Sequence, residues 1–199
     1  MARYRHDPSK DLVGFLVGEV MYAVRIDVVR EIVNPLAIVD LPRAPATVKG
    51  VADYRGDVVP VVDLRERFGL PSVPRSRKTK WIVLDVRPLQ GSSSSGSADV
   101  ARLSRGTAGA PERERPVMTS GYGGRYAALV VDSMTEVFGL AGGELRAAPP
   151  LGAGDDMRGI EGVTTLGTRL VFVLDARAFG PVTDAALAPR AGAADAEST

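Results

Sequence analysis

The stretch Val58-Val59-Pro60-Val61-Val62-Asp63-Leu64-Arg65 has a second version later in the chain, Leu170-Val171-Phe172-Val173-Leu174-Asp175-Ala176-Arg177. A Phe-Gly pair follows each version, at residues 68–69 and 179–180. Upstream, Val48-Lys49-Gly50-Val51 is matched by Ile160-Glu161-Gly162-Val163. The sequence therefore predicts two copies of one β-rich unit, with most shared positions serving the common scaffold.

The two copies also agree further upstream, and they differ most at one turn. Residues Tyr22–Ile32 are echoed by Tyr126–Val137. The largest difference is at Tyr54-Arg55-Gly56, which aligns with Leu166-Gly167-Thr168. Because shared positions build the scaffold, we expect function where the copies differ, and therefore at this turn.

The composition excludes several classes of partner and site. The chain has 199 residues, and its 45% hydrophobic and 25% charged content is typical of a soluble globular protein. A net charge of +1 provides no overall field that would attract nucleic acid or an anionic membrane. The absence of cysteine excludes disulfides, thiolate nucleophiles and sulfur-ligated metals. We therefore expect no nucleic-acid partner.

The N-terminal region does not resemble a membrane or export signal. No apolar run approaches the roughly 18 residues of a membrane-spanning helix. Asp7 and Asp11 precede the apolar run Leu12–Val17, whereas a secretory signal has a basic leading segment and a small-residue cleavage site. The sequence therefore predicts a cytoplasmic protein without direct membrane insertion.

Strand signals dominate the chain between its ends. Alternation in Tyr22–Ile26 predicts a strand with one face in water, and Pro60 predicts that its strand is an edge or carries a bulge there. The β-branched or apolar runs bounded by Gly, Pro or Asp are Leu12–Val17, Val20–Ile26, Val58–Val62, Trp81–Val86, Arg125–Val131 and Leu170–Leu174.

Short helical turns are predicted after two aspartates. Asp27–Ile32 and Asp63–Phe68 each begin with a residue that can cap free backbone N–H groups. Gly69 can close the second turn in the left-handed region. Asp132 and Asp175 predict the same caps in the second copy.

Three segments differ in composition from the rest. Residues 1–11 and 181–199 are predicted to be tails, so that residues 12–180 form a single domain of two β lobes. Arg87–Pro116 contains Gly91-Ser92-Ser93-Ser94-Ser95-Gly96-Ser97, a composition typical of flexible linkers. We predict a long disordered loop, at about residues 87–116, inserted into a hairpin.

The residues of common catalytic sites are scarce. The one histidine, His6, lies in a predicted tail and lacks a third group to orient it. Asp155-Asp156, or Asp53 with Asp57, offers hard oxygen ligands, but the first pair follows a Pro- and Gly-rich loop. The sequence therefore predicts no catalytic residue, no metal and no cofactor, and a protein that is not an enzyme.

Binding by a surface remains, and Arg55 is the first candidate. It is either an ordinary solvated turn arginine or a planar donor fork held for a carboxylate. Glu31 is its natural partner within the same lobe. Val28, Val29 and Ile32 beside Glu31 are either core residues or the lining of a partner groove.

Taken together, these segments resemble the CheW-like domain of bacterial chemotaxis coupling proteins, from about Leu12 to Phe179. As an ordered set over most of the chain, they are a specific signal, although no single segment would be. The resembling segments are Tyr22-Ala23-Val24, Val28-Val29-Arg30-Glu31-Ile32, Leu41-Pro42-Arg43-Ala44-Pro45, Val48-Lys49-Gly50, Tyr54–Arg65, Val130-Val131-Asp132 and Gly159-Ile160.

The resemblance implies a mainly β fold of two SH3-like five-stranded β-barrel lobes on a shared core, with short helices. It implies an adaptor that couples the cytoplasmic tip of chemoreceptors to the regulatory domain of a CheA-type histidine kinase. Other CheW-like domains are further expected partners. The implied location is cytoplasmic, peripheral to receptor arrays at the inner membrane.

The family's binding residues fall here on Arg55 and Gly56 of the turn, on Glu31, and on Val28 and Val29 as groove candidates. The family usually has Asn and an aliphatic residue before Arg-Gly, whereas this chain has Asp53 and Tyr54. The added charge of Asp53 predicts competition for the Arg55 guanidinium.

A second class of function stays open. It is an orphan CheW-like module that binds a protein of another two-component or motility pathway, without coupling to a receptor array. An SH3-like nucleic-acid binder is a third class, which the near-neutral net charge disfavours.

Overall fold

A computed structural model describes residues 11–87, 126–140, 145–148 and 159–187. Two short α-helices, α1 (Leu64–Arg67) and α2 (Gly180–Leu187), accompany the strands. All six predicted strands are present, each within one residue of its predicted bounds. The strands are β1 (Asp11–Val17), β2 (Val20–Arg25), β3 (Val29–Val33), β4 (Val48–Tyr54), β5 (Asp57–Asp63), β6 (Lys80–Asp85), β7 (Tyr126–Val131), β8 (Ser133–Gly139), β9 (Ile160–Leu166) and β10 (Arg169–Leu174).

Two five-stranded sheets define the lobes. Lobe 1 has the strand order β8-β1-β2-β10-β9, and lobe 2 has the order β3-β6-β7-β5-β4. The predicted fold class is confirmed, although the hydrogen-bonded order of each sheet is open rather than a closed barrel. Because β1–β5 belong to the first copy and β6–β10 to the second, each lobe is built from both copies.

Three apolar clusters form the core. One lies between the lobes, one fills lobe 2 around the fully buried Trp81, and one fills lobe 1. Tyr22 and Val24 of β2 point into the shared cluster, whereas Met21 and Ala23 point into the lobe 1 cluster. The predicted wet face of this strand is therefore wrong, because apolar layers cover β2 on both sides.

The two glycines of the repeated Gly-Val pairs have a steric role. The residue after Gly50 forms an isolated bridge with Val39, and the residue after Gly162 forms one with Arg146. A Cβ on Gly50 would clash with the Val39 carbonyl, and a Cβ on Gly162 would lie 2.6 Å from the Arg146 carbonyl oxygen. In each lobe, glycine thus lets a short segment approach the edge strand.

The predicted helical turn after Asp63 is confirmed. The Asp63 carboxylate accepts a hydrogen bond from the Arg65 N–H at 2.8 Å and caps α1. Gly69 has a φ of +72°, in the left-handed region. Asp175 caps a 3-10 turn in the second copy by accepting from the Arg177 N–H at 3.0 Å.

The predictions for the other two aspartates are wrong. Asp27 lies inside a single 3-10 turn, Ile26–Val28, which has no side-chain cap, and β3 begins directly after it. Pairing of β3 with β6 supplies the backbone hydrogen bonds that a helix would otherwise provide. Asp132 is not a cap, since its Oδ2 accepts from the Gly18 N–H at 2.6 Å.

Pro60 does not lie on an edge strand. Strand β5 runs between β4 and β7, and the register shift against β4 lies between Val48 and Gly50 rather than at the proline. Pairing with β7 begins only at Val61. The missing N–H of Pro60 is tolerated because β7 has not yet joined at that point.

The ends of the predicted domain need correction. Asp11 is the first residue of β1 and is buried, so it is not part of a tail. Helix α2 occupies the beginning of the predicted C-terminal tail, and the buried Thr183 hydroxyl donates to the Phe179 carbonyl at 2.8 Å. His6, Asp155-Asp156, most of the insertion and the remaining tail predictions lie outside the described residues.

Candidate functional site

The β4–β5 hairpin ends in a tight turn with an unusual backbone. Arg55 and Gly56 have φ angles of +56° and +89°, and Tyr54 pairs with Asp57 on either side. Positive φ suits glycine but is uncommon for arginine. The Asp53 carboxylate accepts from the Gly56 N–H at 2.8 Å and holds the turn. The predicted competition of Asp53 for the guanidinium stays a prediction, since this contact occupies only one oxygen of its carboxylate.

Three side chains meet beside this turn, and we call Glu31, Tyr54 and Arg55 the seam clamp. Arg55 Nη2 lies 2.8 Å from the Glu31 carboxylate. The Tyr54 hydroxyl donates to Glu31 Oε2 at 2.5 Å. The Arg55 guanidinium carbon also lies 5.6 Å from the centre of the Tyr54 ring, within the range of a cation–π contact. The predicted pairing of Glu31 with Arg55 is confirmed.

The clamp joins the two ends of lobe 2. Glu31 lies on β3 and Tyr54 on β4, which are the opposite edge strands of that sheet. The sheet therefore curls far enough for side chains to bridge its open seam. In lobe 1 the aligned positions are Glu136 and Leu166, and no described residue contacts the exposed Glu136 carboxylate through a hydrogen bond.

Tyr54 is the member that sequence reasoning missed. Its side chain is only 5% exposed and packs in the lobe 2 cluster. A buried tyrosine normally requires a partner for its hydroxyl, and Glu31 supplies that partner. The signal available in the sequence was the tyrosine at position 54, where the family usually has an aliphatic residue. It did not identify Glu31 as the partner, because β3 and β4 are distant in sequence and approach each other only in the folded sheet.

Ionisation of the clamp follows from these contacts. The hydrogen bond from Tyr54, followed by the hydrogen bond and charge of Arg55, holds the pKa of Glu31 below its ordinary value, against the opposing effect of burial. Burial, followed by the hydrogen bond to Glu31, raises the pKa of Tyr54. At neutral pH the clamp therefore contains a carboxylate, a neutral phenol and a guanidinium.

The other predicted site residues lie near the clamp on the same segment of chain. Val28 and Val29 are half-buried and pack against the shared cluster between the lobes. Ile32, which sequence reasoning placed either in the core or in a groove, is exposed. Val28 and Val29 thus lie at the margin of the core, and their role as a partner groove stays a prediction.

The copies also present matching apolar residues to solvent. Val58, beside the Arg-Gly turn, and Leu170, at the aligned position of lobe 1, are each 51% exposed. Ile32 of β3 and Val137 of β8 form a second aligned and exposed pair. A single exposed apolar residue is common and indicates little. Because these residues are exposed at aligned positions in both lobes, they indicate corresponding surfaces on the two lobes.

Chemistry of other kinds has little support in the described ranges. No group of three or more His, Cys, Asp or Glu side chains there is suited to a metal ion. None of the helices within those ranges is long and apolar enough to cross a membrane. Within the same ranges, the arrangement offers donors, acceptors and apolar contacts for recognition.

Comparison with solved structures bears on the fold. The chain is similar to the scaffolding protein TtCheW from Thermoanaerobacter tengcongensis, with a TM-score of 0.59 and 22% sequence identity. The alignment covers 83% of this chain and 88% of that protein. At this identity the likeness establishes the two-lobed fold alone.

Curated relatives carry the name chemotaxis protein CheW. The chain is 24% identical over 167 residues to the protein of Klebsiella aerogenes, which covers 84% of this chain and 79% of the relative. The chain is 36% identical over 72 residues to the protein of Helicobacter pylori, an alignment that covers 36% of this chain and 44% of the relative. It is 34% identical over 86 residues to the protein of Rhizobium meliloti, which covers 43% of this chain and 56% of the relative. The chain spans about half the length of these last two relatives.

The model of the CheW-like domain family matches residues 11–92 and 98–180. These two ranges include most of the chain, both lobes and all three members of the seam clamp. The chain therefore belongs to the CheW-like domain family.

Proposed function

We propose that this chain is a non-catalytic adaptor that couples chemoreceptors to a CheA-type histidine kinase. Membership of the CheW-like family and the relatives named as chemotaxis proteins support this assignment. The single observation that carries it is that the Arg55 side chain is 70% exposed although its backbone and its guanidinium are both held in place. A preorganised and accessible donor fork is suited to bind a carboxylate of another protein.

The kinase is the proposed partner of the lobe 2 tip. Arg55 and the exposed Val58 lie on the same hairpin and offer a charged donor beside an apolar surface. Interfaces commonly combine an arginine anchor with apolar contacts of this kind. The regulatory domain of the kinase would contact this tip, with Gly56 allowing close approach because it has no side chain.

The receptor tip is the proposed partner of the surface near Val28 and Val29. Both residues lie at the margin of the cluster between the lobes, so an apolar helix face placed there would extend that cluster. Such a complex would place the protein in the cytoplasm, peripheral to receptor arrays at the inner membrane. Other CheW-like domains are further candidates for the matching lobe surfaces.

Co-sedimentation tests this function. Receptor-bearing membranes and a CheA-type kinase from the same cell are centrifuged with and without this protein. We expect the kinase to pellet with the membranes only when the protein is present. Kinase that stays in solution, although the protein is folded and the receptors are active, would reject the coupler and favour the orphan module.

Matched variants make the assay specific for the proposed surface. Arg55→Ala should reduce the pelleted kinase, whereas Arg169→Ala should not. Arg169 is an exposed arginine at the hairpin tip of lobe 1 and therefore controls for the loss of one positive charge. Equal effects of the two variants would show that net charge, rather than the Arg55 site, governs assembly.

A further inference from the structure

Tyr54 contacts both other members of the seam clamp from a buried position. Its ring packs in the lobe 2 cluster and meets Tyr126 edge to face, with 6.3 Å between ring centres. The ring is therefore fixed by its apolar neighbours, and its hydroxyl has a fixed position at the seam. One face of Tyr54 lies under the guanidinium of Arg55 while the hydroxyl holds Glu31.

Another arginine–glutamate pair in the same molecule shows the usual geometry without a tyrosine. Arg25 donates to Glu161 through both Nε, at 3.2 Å, and Nη2, at 2.6 Å. Two parallel hydrogen bonds are the ordinary arrangement of such a pair. This side-on contact uses two of the three guanidinium nitrogens of Arg25, so that one edge of the fork is no longer available to a partner.

The seam clamp departs from that geometry. Among the described residues, Arg55 has a hydrogen-bond partner only at Nη2, and that partner is the Glu31 carboxylate. Oε2 of the same carboxylate, which also lies 2.8 Å from Nη2, accepts the Tyr54 hydroxyl. The tyrosine thereby limits how the carboxylate can turn towards the guanidinium, and among the described residues Nε and Nη1 of Arg55 have no hydrogen-bond partner.

We infer that Tyr54 is a positioning residue, which holds Glu31 so that Arg55 keeps its Nε and Nη1 donors free for an acidic side chain of a partner protein. The inference rests on the proposed function of Arg55 and deepens it by naming the chemistry of the partner. The partner residue is an aspartate or glutamate with an apolar neighbour, because Val58 flanks the turn. Lobe 1 lacks the device, since Leu166 replaces Tyr54 and Gly167 replaces Arg55.

The test uses Tyr54→Phe in the full chain, because this change keeps the ring and removes only the hydroxyl. We expect the Arg55 Nε–H to exchange with water more slowly in the variant, as Glu31 turns to accept from it in the manner of Glu161. We also expect the titration of Glu31, followed by NMR of its carboxyl carbon, to change, because the carboxylate exchanges the Tyr54 donor for the Arg55 Nε–H. Tyr126→Phe removes a hydroxyl from the neighbouring ring and is the matched control.

Partner binding provides the second measurement. Loss of positioning should weaken binding of the kinase regulatory domain about tenfold, the effect of one hydrogen bond to a charged group. Tyr54→Leu, which copies the aligned residue of lobe 1, should weaken it at least as much. Thermal unfolding of each variant reports whether a weaker complex reflects a less stable fold.

The outcomes separate this inference from the proposed function. Unchanged Arg55 exchange and unchanged Glu31 titration in Tyr54→Phe would overturn the positioning role, even if the wild-type protein binds the kinase. A wild-type protein that binds no kinase would reject the proposed function, and the two NMR measurements would still decide the role of Tyr54. The third outcome is that Tyr54→Phe changes the Arg55 exchange and the Glu31 titration but leaves the affinity for the kinase unchanged. That result would show that the free Nε and Nη1 donors of Arg55 do not bind the kinase.

Discussion

At Arg55 the backbone and the side chain are constrained by different neighbours. The hydrogen bond between Asp53 and Gly56 holds the turn, whereas Glu31 and the Tyr54 ring hold the guanidinium. A side chain that remains 70% exposed under these constraints loses little further freedom when it binds. The same exposure means that its ion pair contributes little to stability.

Replacement of Arg55 should therefore separate stability from binding. We expect Arg55→Ala to change the free energy of unfolding by no more than about 0.5 kcal/mol, as is usual for surface substitutions. Urea denaturation followed by circular dichroism measures this change, and Arg169→Ala is the reference. A clearly less stable Arg55→Ala protein would show that the arginine holds the fold rather than a partner.

Acid should weaken the clamp through Glu31. Because the folded-state pKa of Glu31 is lowered, its contribution to stability is present above the unfolded value, about 4.3, and is lost as the pH falls through the folded value. We expect Glu31→Gln to remove this acid-dependent part of the unfolding free energy, measured by urea denaturation at a series of pH values. Glu136→Gln, at the aligned position without a clamp, is the matched control for the loss of one carboxylate.

Alkali should act through Tyr54 in the opposite direction. The pKa of Tyr54 is raised in the folded protein, so its contribution is present below the unfolded value, about 10, and is lost as the pH rises through the folded value. We expect Tyr54→Phe to lack this loss. In a pH titration followed by phenolate absorbance, Tyr54→Phe should have one tyrosine fewer than the wild type that ionises at high pH. An unchanged titration would contradict the buried hydrogen bond.

At the scale of elements, local signals predicted the strands well and the turns unevenly. β-branched runs bounded by Gly, Pro and Asp are read directly from the chain, and Asp63 with Gly69 defines α1 through contacts within a few residues. The turn after Asp27 failed because β3 gains its hydrogen bonds from β6, a strand of the other copy. Propensity gives way where distant pairing supplies the backbone partners.

The candidate site was also predicted only in part. The pairing of Glu31 with Arg55 was predicted from their opposite charges within one lobe, and it was confirmed. The role of Tyr54 could not be predicted from the sequence, because its contact with Glu31 depends on how far the lobe 2 sheet curls to bring its edge strands together. Curling of a sheet is set by packing of many distant residues rather than by a local pattern.

The repeated glycines allow a sharp test at this scale. Gly162→Ala should destabilise the protein by about 2 kcal/mol or more, because its Cβ would lie 2.6 Å from the backbone carbonyl oxygen of Arg146. Gly69→Ala is the control, since the added Cβ meets open space and only the positive φ opposes it. That control should cost about 1 kcal/mol. Thermal and urea unfolding compare the two, and equal losses would contradict the steric role of Gly162.

For the molecule as a whole, the exchange of strands between copies makes the lobes interdependent. Strand β2 pairs in parallel with β10, and β5 pairs in parallel with β7, so each lobe contains a junction between copies. The Asp132 carboxylate adds a tie by accepting from Gly18 at the β1–β2 turn and from Arg65 of α1. Neither lobe can lose its structure without breaking a sheet that holds strands of both copies.

Unfolding should accordingly be a single transition. Trp81, the one tryptophan, lies in the lobe 2 cluster, so its fluorescence reports on that lobe, whereas circular dichroism reports on both. We expect the two signals to change at the same urea concentration. Separate midpoints would show that the lobes unfold independently and would contradict the proposed interdependence.

The mixed strand order also determines when the protein can fold during its synthesis. The β1–β2 hairpin is synthesised before its lobe neighbours β8 and β10, which end at Gly139 and Leu174. Its apolar faces therefore stay uncovered until those strands are translated, a period in which nascent chains are prone to aggregate. The lobe 1 sheet can therefore be completed only after Leu174 has left the ribosome, although its first hairpin is made much earlier.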